Sequence, residues 1–208
     1  MQYGEGRFKS HDNLNLYRQW WKPDNEPKAI VILVHGSLEH SGRYADAASK
    51  LVGHGYGVYA YDLRGHGKSE GEPLYIPCFD ALIKDLNTFI GLLRQDYPDK
   101  PIFLLGHSVG CIIILSFILH NKPSDIKGII FNAPILKMST GVSVWVRIFA
   151  PFIIYLFPRL RLKAIDIRLI STDRETITDY ETDSLIDRKG LFVCTAADFL
   201  RTLNKTLP

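Results

Sequence analysis

Five residues near the middle of the chain, Gly106-His107-Ser108-Val109-Gly110, set a serine between two glycines as G-x-S-x-G. That pattern supports nucleophilic chemistry when it joins a strand to a helix. The turn must be tight, so the flanking residues have to be small, and the serine is lifted above the sheet in a strained conformation. Pro101-Ile102-Phe103-Leu104-Leu105 reads as the strand, and an apolar helix opens at Val109. The backbone N–H of Val109 would then face an oxyanion as it forms. A second donor belongs where another buried strand ends. The run Ala29 to Val34 stops at His35-Gly36-Ser37, where a glycine lets the backbone turn toward a ligand, so the Ser37 N–H is the candidate. The alternative reading is a serine that merely caps a helix, and the strand before with the helix after favours the nucleophile.

Such a serine needs a sheet beneath it and helices beside it. Arg7 to Ser10 and Leu14 to Trp20 alternate like strands around the turn residues His11-Asp12-Asn13, which predicts an opening hairpin. Ala29 to Val34, Gly57 to Tyr61, Ile102 to Leu105 and Gly128 to Phe131 are short continuous apolar runs, as expected of parallel strands buried on both faces. Helical patterns lie between them at Tyr44 to Val52, Asp80 to Tyr97 and Val109 to His120. This alternation predicts an α/β fold with a mostly parallel sheet and right-handed crossovers. No repeat, low-complexity tract or Gly/Ser linker divides residues 1–208, so one domain is expected.

Three motifs in order make the pattern specific: His35-Gly36-Ser37-Leu38-Glu39-His40-Ser41-Gly42-Arg43-Tyr44, Asp62-Leu63-Arg64-Gly65-His66-Gly67-Lys68-Ser69 and the Ser108 pentapeptide. Together they resemble the monoglyceride lipases and related serine hydrolases of the α/β-hydrolase superfamily with a serine aminopeptidase-type domain. The similarity continues through Asp166 to Ser171, Tyr180-Glu181-Thr182-Asp183-Ser184-Leu185 and Gly190 to Cys194. The resemblance implies an α/β-hydrolase with a helical cap at about 136–190. It implies Ser108 as nucleophile, Ser37 and Val109 as oxyanion donors, and Glu39, Arg43 and Tyr180 as polar contacts to a glycerol head group. An ion pair between Glu39 and Arg43 that holds the loop is an equal alternative, compatible with substrate contact. Asp62, Arg64 and His66 are expected to brace their loop.

Two departures from the family, Cys111 where a glycine often follows the elbow and Ser184 where a proline is common, remove no reacting group. The family's acid and histidine lie on loops after two further strands, and the sequence stops at Pro208 before either. The expectation is therefore a sheet without its last strands and a chain without a usable triad. After Ser108 the only histidine is His120, about 18 Å away along the helix at roughly 1.5 Å per residue, too far to act as base.

Composition sets the remaining bounds. A net charge of +3 with no basic stripe argues against nucleic acid. Three widely spaced cysteines without a CxxC pair suggest reduced thiols and no metal site, and the polar stretch Met1 to Asn13 does not resemble a signal peptide. A cytoplasmic protein follows. Val142 to Pro158 is apolar but too short for a span and is broken by Arg147 and Pro151. It could be a buried core helix. A lid is preferred, because Arg159, Arg161 and Lys163 follow it and suit peripheral docking on an anionic membrane surface. The expected activity is hydrolysis of monoacylglycerol to fatty acid and glycerol through an acyl-serine, with no cofactor. Lysophospholipase or other small-ester hydrolysis would use the same parts, and a non-catalytic lipid-binding remnant is the alternative of a different class.

Overall fold

The computed structural model describes residues 1–76, 78–135, 152, 154–162 and 171–206. Strands β1 (Gln2–Lys9), β2 (Asn15–Lys22), β3 (Ile30–Val34), β4 (Gly57–Tyr61), β5 (Ile102–His107) and β6 (Ile126–Asn132) form one sheet in the order β1-β2-β4-β3-β5-β6. β1 pairs antiparallel with β2 and β2 antiparallel with β4, while β4, β3, β5 and β6 run parallel. Helices α1 (Ala45–Gly53), α2 (Phe79–Asp96) and α3 (Val109–Asn121) connect them, and α4 (Arg174–Thr182) and α5 (Val193–Thr206) follow β6.

The continuous apolar runs have a direct cause. Side chains alternate across a strand, so Ile30, Ile32 and Val34 face one layer of helices while Val31 and Leu33 face the other. The first layer holds Leu82, Leu86, Phe89 and Leu93 of α2 with Ile112, Ile113 and Phe117 of α3. The second holds Ala48 and Val52 of α1 with Trp21. Seven apolar side chains of α2, Phe79, Leu82, Ile83, Leu86, Phe89, Ile90 and Leu93, are buried. At about 2 kcal/mol each their transfer from water contributes on the order of 10 kcal/mol before chain entropy is counted. Helix α3 is apolar on all sides because β5, α2 and α5 all pack on it.

β1 begins five residues earlier than alternation predicts. Gly4 has no side chain to signal a strand, yet its bare surface is what lets Trp20 lie across it, since a Cβ there would stand 2.3 Å from Trp20 Cζ2. β6 is the last strand in the sheet among the described residues, and its Ile129, Ile130 and Phe131 are 38%, 50% and 39% exposed.

Most of Val142 to Pro158, and Asp166 to Ile170 of the stretch Asp166 to Ser171, lie outside the described residues. Of the first stretch, Phe152, Tyr155, Leu156 and Phe157 are exposed. Among the described residues no helix is long and apolar enough to cross a membrane.

Candidate active site

Ser108 sits between β5 and α3 with φ +52° and ψ −115°, a left-handed conformation rare for a residue with a Cβ. Two glycines make that turn possible. A Cβ on Gly106 would lie 2.8 Å from the Cys111 nitrogen, and one on Gly110 only 2.1 Å from the Val34 carbonyl oxygen. The start of α3 is therefore pressed directly onto the end of β3. The Ser108 N–H donates to Asn132 O at 3.1 Å, tying the turn to the end of β6. Behind it the buried Cys111 thiol donates to Gly106 O at 3.1 Å, so the cysteine fills its place in the turn. Val109 is the first residue of α3, and the N–H of a first residue has no carbonyl within its own helix.

The loop after β3 closes on the same point. A Cβ on Gly36 would stand 3.0 Å from Ser108 Cβ and 3.3 Å from His107 Nδ1, so Ser37 follows a backbone segment in contact with the serine. Glu39 holds this loop with one oxygen. Its Oε1 accepts from the Gly36 N–H, from Tyr44 Oη at 2.9 Å and from His107 Nδ1 at 2.7 Å. Burial pushes the Glu39 carboxyl up, but the His107 hydrogen bond and the neighbouring histidines outweigh it and leave it below its usual range. The bond to Glu39 raises His107 in turn, against its own partial burial.

Arg43 does not pair with Glu39. The loop-holding ion pair expected between them is replaced by two others, Glu39 with His107 and Arg43 with Asp183, the latter at 3.7 Å. Arg43 also lies over the Tyr180 ring, 5.5 Å from its centre. Tyr180 is on α4, so two polar residues expected near a head group come together from separate parts of the chain. Asp183, in the motif Tyr180-Glu181-Thr182-Asp183-Ser184-Leu185, joins them, and its sequence context alone carries no sign of this role. It accepts from His40 Nε2 at 2.8 Å through Oδ2 and from the Leu185 N–H at 2.9 Å through Oδ1.

The Asp62 loop is braced as expected. Asp62 accepts from the Ser41 N–H and the Lys68 N–H, both at 2.8 Å. His35 and His66 pack at 5.5 Å, His35 Nε2 accepts from Leu63 N at 2.9 Å, and burial pushes His66 down to about 4, keeping it neutral. Arg64 forms a two-pronged bond to Asp85, 2.8 Å on each side, and reaches Asp12 at 2.8 Å. His11, Asp12 and Asp85 converge closely enough to hold a cation, and the Arg64 guanidinium is the cation in place among them. His120 Nδ1 donates to Ser116 O, 2.6 Å away in its own helix.

The basic residues after the apolar stretch have inward partners. Arg159 pairs with Glu72 at 3.3 Å and lies over Tyr75, while Arg161 reaches Gly190 O at 2.9 Å, Pro73 O at 3.3 Å and the face of Phe192. Both fasten their own segment to the loop before α2, which weakens the expectation that they serve an anionic surface. Lys163 lies outside the described residues.

Comparison with known proteins gives this geometry a context. The family model for serine aminopeptidase, S33, matches residues 25–208. Human monoglyceride lipase is 34% identical over 196 residues, covering 93% of this chain and 64% of that protein, and the mouse monoglyceride lipase is 32% identical over 193 residues, 92% and 63% respectively. The chain thus spans just under two thirds of the length of these relatives. A crystal structure of a Paleococcus ferrophilus monoacylglycerol lipase superposes with a TM-score of 0.77 at 28% identity, covering 92% of this chain and 71% of that one. The family match over residues 25–208, with the superposition at a TM-score of 0.77, leads to one conclusion: the chain belongs to the serine aminopeptidase S33 family and has the α/β-hydrolase fold.

Proposed function

We propose that these residues form the nucleophile side of a carboxylic ester hydrolase that cleaves monoacylglycerol to fatty acid and glycerol. The observation that carries this reading is the left-handed Ser108, wedged between Gly106 and Gly110 with Gly36 against its Cβ. In the proposed reaction Ser108 Oγ attacks the ester carbonyl carbon as its proton passes to a base. The N–H groups of Ser37 and Val109 donate to the oxyanion, the intermediate expels glycerol with that proton, and water releases the fatty acid from the acyl-serine. Arg43 and Tyr180, held together by their ring contact, present polar groups to the glycerol hydroxyls. Glu39 contributes through the loop it clamps and through its second carboxylate oxygen.

Among the described residues, the two histidines nearest Ser108 in the sequence are both engaged elsewhere, so the base is proposed to come from outside them. His107 Nδ1 is committed to Glu39, and His120 is in the last turn of α3. Without a base the oxyanion donors and binding leave only a small residual rate, several powers of ten below an intact triad. The exposed Phe152, Tyr155, Leu156 and Phe157 offer apolar area to a lipid surface, so membrane contact rests on them rather than on Arg159 and Arg161. The test compares residues 1–208 with a chain extended to the relatives' length, each with and without Ser108→Ala, for fluorophosphonate labelling and monoacylglycerol hydrolysis. Labelling and turnover in the longer form that vanish with Ser108→Ala are expected. Turnover that survives the substitution would overturn the assignment.

A further inference from the structure

The contact between the cap helix and the loop after β3 does more than join two surfaces. Asp183 follows the last residue of α4 and uses both carboxylate oxygens. Oδ2 accepts a hydrogen bond from His40 Nε2 at 2.8 Å and faces Arg43 at 3.7 Å, while Oδ1 accepts from the Leu185 N–H at 2.9 Å. Arg188 closes the same helix end by donating to Tyr180 O and Asp183 O, each at 3.1 Å. The geometry at His40 fixes its tautomer. Its Nδ1 accepts from the Gly42 N–H at 3.1 Å, so Nε2 carries the proton and donates the hydrogen bond to Asp183.

The bond to Gly42 makes His40 the N-cap of a short 3-10 helix, Ser41–Tyr44. That helix carries Arg43, which meets Asp183 and Tyr180, and Tyr44, whose hydroxyl reaches Glu39 Oε1 at 2.9 Å. The same Glu39 oxygen holds the Gly36 N–H and His107, the residue before Ser108. A continuous line of hydrogen bonds therefore runs from the end of α4 through His40, the 3-10 helix, Tyr44 and Glu39 to the backbone beside Ser108. The Asp183 and His40 side chains are 19% and 11% exposed, so water competes weakly for their bond.

We propose that Asp183 is a positioning residue: by holding His40 and Arg43 it makes closure of α4 and order in the Gly36–Glu39 loop a single event. The proposal rests on the reading of that loop as the oxyanion loop, but its mechanical content does not depend on it. An apolar residue at 183 would release both His40 and Arg43. Asparagine has one acceptor oxygen instead of two, so it keeps the volume and only part of the contact.

The experiment is hydrogen exchange on residues 1–208, followed for amides of α4, of Gly36 to Glu39 and of α2. Asp183→Ala is expected to speed exchange at least tenfold both in α4 and in the Gly36–Glu39 loop while α2 is unchanged. Asp183→Asn should restore part of the protection in both places together. His40→Gln should reproduce the double loss from the other end, and adding it to Asp183→Ala should do little more. If α2 also loosens in Asp183→Ala, the two volume-preserving variants carry the same comparison. Faster exchange in α4 with the Gly36–Glu39 loop unaffected, or fully additive effects of the two substitutions, would overturn the coupling and leave Asp183 a local tether. Ser108→Ala is expected to leave the exchange pattern as it is, so failure of the hydrolase reading and failure of this proposal are read from different measurements.

Discussion

Replacing Gly110 by alanine tests whether the seating of α3 on β3 is as tight as the site requires. The added methyl would stand 2.1 Å from Val34 O, 2.8 Å from Val34 C and 2.9 Å from His35 O. The first of these is roughly 1.5 Å inside an ordinary contact. All three are backbone atoms of a buried strand end, so no side chain can swing away, and the helix start has to lift from the sheet. Overpacking of this kind costs about 1–3 kcal/mol, and the absence of a flexible neighbour puts this site at the upper end. Alanine returns up to about 1 kcal/mol as a better helix former, which leaves a net loss of about 2 kcal/mol. For a chain of this size that is a drop in melting temperature of roughly 4–8 °C. Gly53→Ala is the control, because a Cβ there meets nothing within 4 Å. Thermal unfolding of the two variants beside the parent chain gives the answer. Gly110→Ala melting at or above the parent, or level with Gly53→Ala, would refute the reasoning, and with it the placement of Val109 N–H at the end of β3.

Arg64→Met should destabilise the chain by about 3–5 kcal/mol in denaturant titration, because it leaves the fully buried Asp85 carboxylate with only His11 and without its two-pronged guanidinium partner; a loss below 1 kcal/mol would mean the network is not ionic. The Glu39–His107 pair should give a stability difference between parent and His107→Gln that peaks between about pH 4.5 and 6.5. Glu39 is lowered from 4.5, so its contribution fades as the pH falls below that value, and His107 is raised from 6.5, so its contribution fades as the pH climbs through the raised value. A difference flat from pH 4 to 8 would remove the pair as a source of stability. Ile130→Lys, at the half-exposed middle of β6, should raise the monomer fraction in size-exclusion chromatography by placing a charge on an open apolar strand; an unchanged elution profile would show that this strand does not drive association.

What the sequence determined by itself was the scaffold and the point of attack. Continuous apolar runs at Ile30 to Val34, Gly57 to Tyr61 and Ile102 to Leu105 have few folded solutions besides a parallel sheet buried on both faces, and small residues around Ser108 announce a turn that larger ones would block. Those signals are local, carried by residue size and period. The start of β1 was hidden because Gly4 carries no pattern of its own and becomes strand only under Trp20. The partners of Glu39, Arg43 and Arg161 were hidden for a related reason. A charged side chain shows its charge in the sequence but not its direction, and here the partners are His107, Asp183 and Asp187, separated from them by 68, 140 and 26 positions. Tertiary structure alone decided that Arg161 turns inward, that Arg43 meets the end of α4, and that one oxygen of Glu39 joins the loop after β3 to the residue before Ser108, because only the packed chain sets which opposite charges and unpaired donors lie within reach.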